Sequence, residues 1–163
     1  MLMKPLFVLL PVVALMFSVL PVPAQEGAPA APAYDFGNHS SETLTGKAWA
    51  ATEAKDYVAV KVYADKCREM YGAQAEEMQK QLTAPAGKDQ AFEYWALNDV
   101  GTSSFLLGQA LEKQGDTKGA IVAYKYVVEK TPFAQCWDPK GWFWKPADAA
   151  AARLKALEFD SME

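Results

Sequence analysis

Cys67 and Cys136 are the only thiols in a chain of 163 residues, and their even number fits a disulfide if the chain leaves the reducing cytoplasm. A bridge would close a loop of about 69 residues and stabilise the fold by on the order of 4 kcal/mol. The alternative is two separate buried thiols. No Cys-x-x-Cys pair occurs, which argues against thiol redox or zinc chemistry. The other concentrated chemistry is aromatic, because Trp137, Trp142, Phe143 and Trp144 fall within eight residues. Flat ring faces stack on sugars or accept an extended peptide, with Asp138 and Lys140 as polar neighbours. The opposing reading is a loop folded back to seal apolar core. In an extended stretch Trp142 and Trp144 point to one side.

Catalytic groups are scarce. His39 is the only histidine and falls in a polar, Pro- and Gly-containing segment, which removes most hydrolase triads and His-based metal sites. Glu76, Glu77, Asp89 and Glu93 read as solvated helix faces. There is no phosphate-cradling Gly loop, no nucleophile elbow and no paired acid in an apolar setting. The expectation is a protein that is not an enzyme and holds no metal and no cofactor, with a hydrolase lacking any recognisable motif as the remote alternative. The net charge of −4, without clustered Lys or Arg, argues against nucleic acid and anionic membrane surfaces.

The elements that must position these residues follow from composition and period. Residues 1–24 carry Lys4 as their one charge, an apolar run from Pro5 to Leu20 and a small-residue site at Val22-Pro23-Ala24. That pattern reads as a signal peptide cleaved after Ala24, too short and too Pro-interrupted to span a membrane. With no Cys after the site, the mature chain is expected to have no lipid anchor and no membrane insertion. Residues 25–42, rich in Ala, Pro, Gly and Ser, read as a flexible linker. A helical domain is expected over 43–163.

Within it, Ala48, Ala51 and Ala54 mark a first helix with a close-packing face. Val60, Tyr63, Ala64, Cys67 and Tyr71 form one stripe of a second, opening near Asp56 or Tyr57. Ala75, Met78 and Leu82 either prolong it past Gly72 or begin another. Phe92 to Gln114 reads as one helix or two, with Gly101 the weak point. Gly115-Asp116 makes a turn, and a further helix carries Ala120, Tyr124 and Val127 until Thr131-Pro132 stops it. A last helix starts at Pro146 or Ala147 and presents Ala149, Ala152, Leu154 or Ala156, and Leu157. No alternating strand is evident, so the fold class is all-α.

The segment Gly101–Pro132 resembles the tetratricopeptide repeat, through Leu107-Gly108 and Leu111 on the first helix, Gly115-Asp116 in the turn, then Ala120, Tyr124 and Pro132. Ser104 and Val127 depart from the family's usual Trp and Ala. A weaker copy spans Ser41–Gly72, with Ala64 for the usual aromatic and Gly72 for the terminal Pro. The resemblance implies antiparallel helical hairpins stacked as a short right-handed solenoid, with Gly108 and Ala120 at the close contact of two helices and Tyr124 filling the gap between hairpins. Two hairpins are fewer than such arrays normally need, so the Trp-rich tail from Phe133 to Leu157 is the expected cap. That tail resembles small exported bacterial repeat proteins.

Together these features predict an exported module, periplasmic or extracellular, that binds a protein or peptide partner in a groove formed by the first helices of each hairpin. The alternative is a carbohydrate-associated accessory protein that holds glycan through the loop containing Trp137, Trp142 and Trp144.

Overall fold

The computed structural model describes residues 33–160, so the expected signal peptide and the first part of the linker lie outside the described residues. The chain forms helices α1 (Ser41–Glu53), α2 (Tyr57–Lys80), α3 (Trp95–Lys113), α4 (Thr117–Lys130) and α5 (Pro146–Asp160). A 3-10 turn, Ala91–Tyr94, leads into α3, and a short antiparallel hairpin of β1 (Cys136–Asp138) and β2 (Trp142–Trp144) separates α4 from α5.

Local chemistry sets the helix ends. Side-chain oxygens of Ser40, Asp56 and Asp116 each accept a backbone N–H three residues on, at 3.2, 3.0 and 2.9 Å, and so cap α1, α2 and α4. The α1–α2 and α3–α4 turns share one hydrogen-bond pattern. Lys55 N–H reaches the Thr52 carbonyl and Asp56 N–H that of Ala51, as Gly115 N–H reaches Glu112 and Asp116 N–H reaches Leu111. This double bond pattern requires a left-handed residue after the helix, and Lys55 (φ 58°) and Gly115 (φ 80°) supply it. The two capping aspartates stand 60 positions apart because α2 runs on to Lys80, past Gly72.

Helix α3 is the axis of the molecule. Thirteen of its nineteen residues are buried, so it carries no solvent face of the usual width and must be covered from several sides. It packs against α1, α2, α4 and α5, and β1 also reaches it. Gly101 does not break it; the missing side chain makes room for Ala134 and Thr131. Gly108 lies against the Tyr124 ring, whose Cδ1 and Cζ stand 2.6 and 2.8 Å from where a Cβ would be. One core cluster joins Ala48, Val60 and Leu106, and another joins Phe105, Tyr124, Val127 and Ala150. Leu107 and Ala120 are buried, Leu111 is half-buried, and Pro132 follows the end of α4.

Three expectations need correction. The fold is mostly helical, as expected, but it includes a β-hairpin, because Asp138-Pro139-Lys140-Gly141 forms a tight turn. Lys140 N–H bonds the Asp138 carboxylate at 2.8 Å, Gly141 N–H bonds the Asp138 carbonyl at 2.9 Å, and Gly141 takes φ 95°. Second, residues 33–42 are packed rather than a tether. Tyr34 and Phe36 both set their rings edge-on to Tyr63, Lys47 pairs with Asp35 at 2.9 Å, and the Tyr71 hydroxyl donates to the His39 carbonyl at 2.9 Å. Third, in the closing helix Ala147 and Ala150 are the buried alanines, whereas Ala152 is exposed.

Candidate functional site

One face of α1 carries Glu42, Thr45, Gly46, Trp49 and Glu53 at steps of three, one, three and four, which places all five on one side of the helix. Opposite them α3 presents Trp95, Asp99 and Thr102. Between the two helices lies an open groove of about 460 Å³, and its far side is formed by Phe92, Trp137 and Phe143. A second depression of about 360 Å³ shares Trp49, Cys136 and Trp137 with the first and adds Glu53, Asp138 and Trp144.

The hairpin is held over α3 by a polar clasp. The Asn98 side chain donates to the Ala91 carbonyl at 2.7 Å and accepts from Gln135 N–H at 2.8 Å. The Gln135 side chain in turn donates to the Ala86 carbonyl at 2.9 Å, and Phe133 N–H donates to Gln79 at 2.9 Å. Strand pairing sets Trp137 opposite Phe143, ring centroids 5.0 Å apart, and Phe92 packs against both at 6.0 and 5.2 Å. On the other hairpin face Trp144 turns inward, 5.5 Å from Phe105 and 6.5 Å from Trp49. The two readings of the aromatic run therefore divide by residue. Trp144 seals core, while Trp137 is 41 % exposed and Trp142, at the hairpin tip, 51 % exposed.

Asp99 is the residue that the sequence reading missed. It lies within the groove lining, mostly buried, with the Ser41 hydroxyl donating to its carboxylate and the Thr45 hydroxyl donating to its backbone carbonyl at 3.2 Å. Loss of water around the carboxyl pushes its pKa up to about 6, the Ser41 hydrogen bond opposes that, and the nearby Glu42 charge adds to it. A carboxyl partly withdrawn from water is therefore present in the groove lining. Its one sequence signal is an Asp inside the mostly apolar run from Trp95 to Leu111.

Of the two readings of Cys67 and Cys136, a bridge or separate thiols, the structure has both as free thiols. Cys67, on α2, is buried beside Thr45 and Ser103, whereas Cys136, on β1, lies beside Thr102 and Trp144. Burial raises both thiols above their ordinary range, which leaves them poor nucleophiles. Among the described residues no three His, Cys, Asp or Glu side chains gather as a metal would require, and no helix is long and apolar enough to cross a membrane. No known family model, curated protein or solved structure matches the chain.

Proposed function

We propose that this chain is a non-catalytic interaction module that binds an extended segment of a protein partner in the groove between α1, α3 and the β-hairpin. The observation that carries the reading is the groove itself, open, walled by Trp49, Trp95 and Trp137, and set between the first helices of the two hairpins. Indole walls supply large contact area at small entropic cost, which is what a peptide site needs. The shared turn of the two hairpins and the close Gly108–Tyr124 contact support a tetratricopeptide-like arrangement, in which such grooves hold peptides. If residues 1–24 act as a signal, the partner is met in the periplasm or outside the cell.

The alternative, glycan binding, is favoured by the half-exposed rings of Trp137 and Trp142. A photo-reactive side chain at Gly46 or Trp95, both exposed in the groove lining, in the native host, separates the possibilities. The peptide reading expects one discrete protein adduct from both groove positions and none from exposed Val122 on α4. Identical adducts from Val122, or quenching of Trp emission by soluble glycans that Trp142→Ala abolishes, would remove its lead.

A further inference from the structure

We propose that the occupant of the groove is a basic segment, an extended chain whose Lys or Arg side chains lie between its aromatic walls and its carboxylates. This inference rests on the peptide-groove reading above and names the chemistry of the partner. Four carboxylates border the two depressions, those of Glu42 and Asp99 at one end and of Glu53 and Asp138 at the other. No Lys, Arg or His lines either depression, and among the described residues none of the four carboxylates is in an ion pair. Several surface acids elsewhere are matched to bases, as in Asp35–Lys47, Asp65–Lys61, Glu69–Lys66, Glu77–Lys80 and Glu112–Arg153. Within the concave aromatic strip the negative charge therefore has no basic side chain in the lining to offset it, and a cleft lined by one sign of charge concentrates cations.

The walls suit the same guest. Indole faces are the best aromatic acceptors of a cation, and the Trp137 ring already has the Lys88 ammonium 5.9 Å from its centroid, outside the groove lining. Length then distinguishes a peptide from a small free cation. Glu42 and Glu53 are eleven positions apart on α1, a rise of about 16 Å. That distance matches about five residues of extended chain, so side chains four positions apart, on one side of the segment, can reach both acidic ends.

Asp99 couples binding to pH. It is faced by Ser41 and Glu42 from α1, by Cys67 from α2 and by Cys136 from β1, and no base is among them. A bound cation favours the ionised carboxylate, so binding expels the proton that Asp99 holds below about pH 6, and affinity falls as the solution is acidified.

The test uses the purified chain and three blocked seven-residue peptides that differ only at two positions four apart, carrying lysine, the uncharged isostere norleucine, or glutamate. Tetramethylammonium serves as the free cation. The lysine peptide should bind about tenfold more tightly than the norleucine peptide, and the glutamate peptide should not bind. Affinity for the lysine peptide should fall severalfold between pH 7.5 and pH 5. Asp99→Asn and the exposed Glu53→Gln should each weaken the lysine peptide by about threefold to tenfold and leave the norleucine peptide within about twofold. Equal binding of the lysine and norleucine peptides overturns the basic occupant and leaves the peptide groove standing. Groove crosslinks at Gly46 without binding of either peptide have the same meaning. Tetramethylammonium binding as tightly as the lysine peptide overturns the extended segment.

Discussion

At the scale of single residues, Asp99 is a carboxylate kept where it costs stability. Its folded pKa of about 6 exceeds the unfolded value near 3.9, so the folded chain holds a proton that the unfolded chain has lost between those two pH values. Relative stability is therefore full below about pH 4 and declines as pH rises through 6, reaching a deficit of up to about 3 kcal/mol at neutral pH. Asparagine keeps the shape and can still accept from Ser41 while removing the charge. Asp99→Asn should raise stability at pH 7.5 by about 1–3 kcal/mol and flatten its dependence between pH 4 and 6, read from urea midpoints across pH. A variant that is less stable at pH 7.5, with the pH dependence intact, would show that the carboxylate supports the fold rather than burdening it.

At the scale of elements, close approach decides more than propensity. Glycine costs a helix about 1 kcal/mol relative to alanine, so Gly46→Ala in α1, where nothing lies within 4 Å of the new methyl, should stabilise by about 0.5–1 kcal/mol. Gly108→Ala should do the opposite. The new Cβ would overlap the Tyr124 ring, which is fully buried and has no space to retreat, and the overpacking cost of about 1–3 kcal/mol exceeds the propensity gain. Thermal midpoints moving in opposite directions for the two substitutions are the expected outcome; a shared direction would mean that the α3–α4 contact is looser than the geometry shows. Helix positions were legible for the same reason that Gly108 was. The apolar stripe of α2 from Val60 to Cys67, the turn at Gly115-Asp116 and the stop at Thr131 are local patterns carried by neighbours three and four apart. The hairpin was not read because each strand is only three residues long, although its Asp138-Pro139-Lys140-Gly141 turn was a usable sign. The Asp99–Glu42 end of the groove was illegible in a stronger sense. Those residues are 57 positions apart, and only packing of α1 on α3 brings them together.

At the scale of the whole molecule, the question is what covers the buried helix α3 in a structure whose Cys67 and Cys136 are free thiols. Helix α3 needs cover on nearly every side, and α5 supplies the part that α1, α2 and α4 leave open, over Phe105, Tyr124 and Val127. Two interactions hold α5 there. One is apolar contact through Ala147 and Ala150, with Leu154 and Leu157 beside them; the other is Arg153 forked onto Glu112 at 2.9–3.2 Å. Their weights differ. The Arg153 side chain is 47 % exposed, and an ion pair so placed contributes at most about 1 kcal/mol, so Arg153→Ala should shift the urea midpoint only slightly. Ala150 is fully buried, and Ala150→Asp places an unpaired carboxylate against Phe105 and Tyr124, a cost of about 3 kcal/mol or more. Truncation after Lys145 goes further and bares the whole cluster, so a chain with helical far-ultraviolet signal, weakened near-ultraviolet signal from its aromatic side chains and strong binding of a hydrophobic dye is expected. Should the truncated chain instead unfold cooperatively near the parent's midpoint without binding dye, closure would have to come from the β-hairpin alone. In that case Trp144, wedged between Phe105 and Trp49, becomes the residue on which the stack depends.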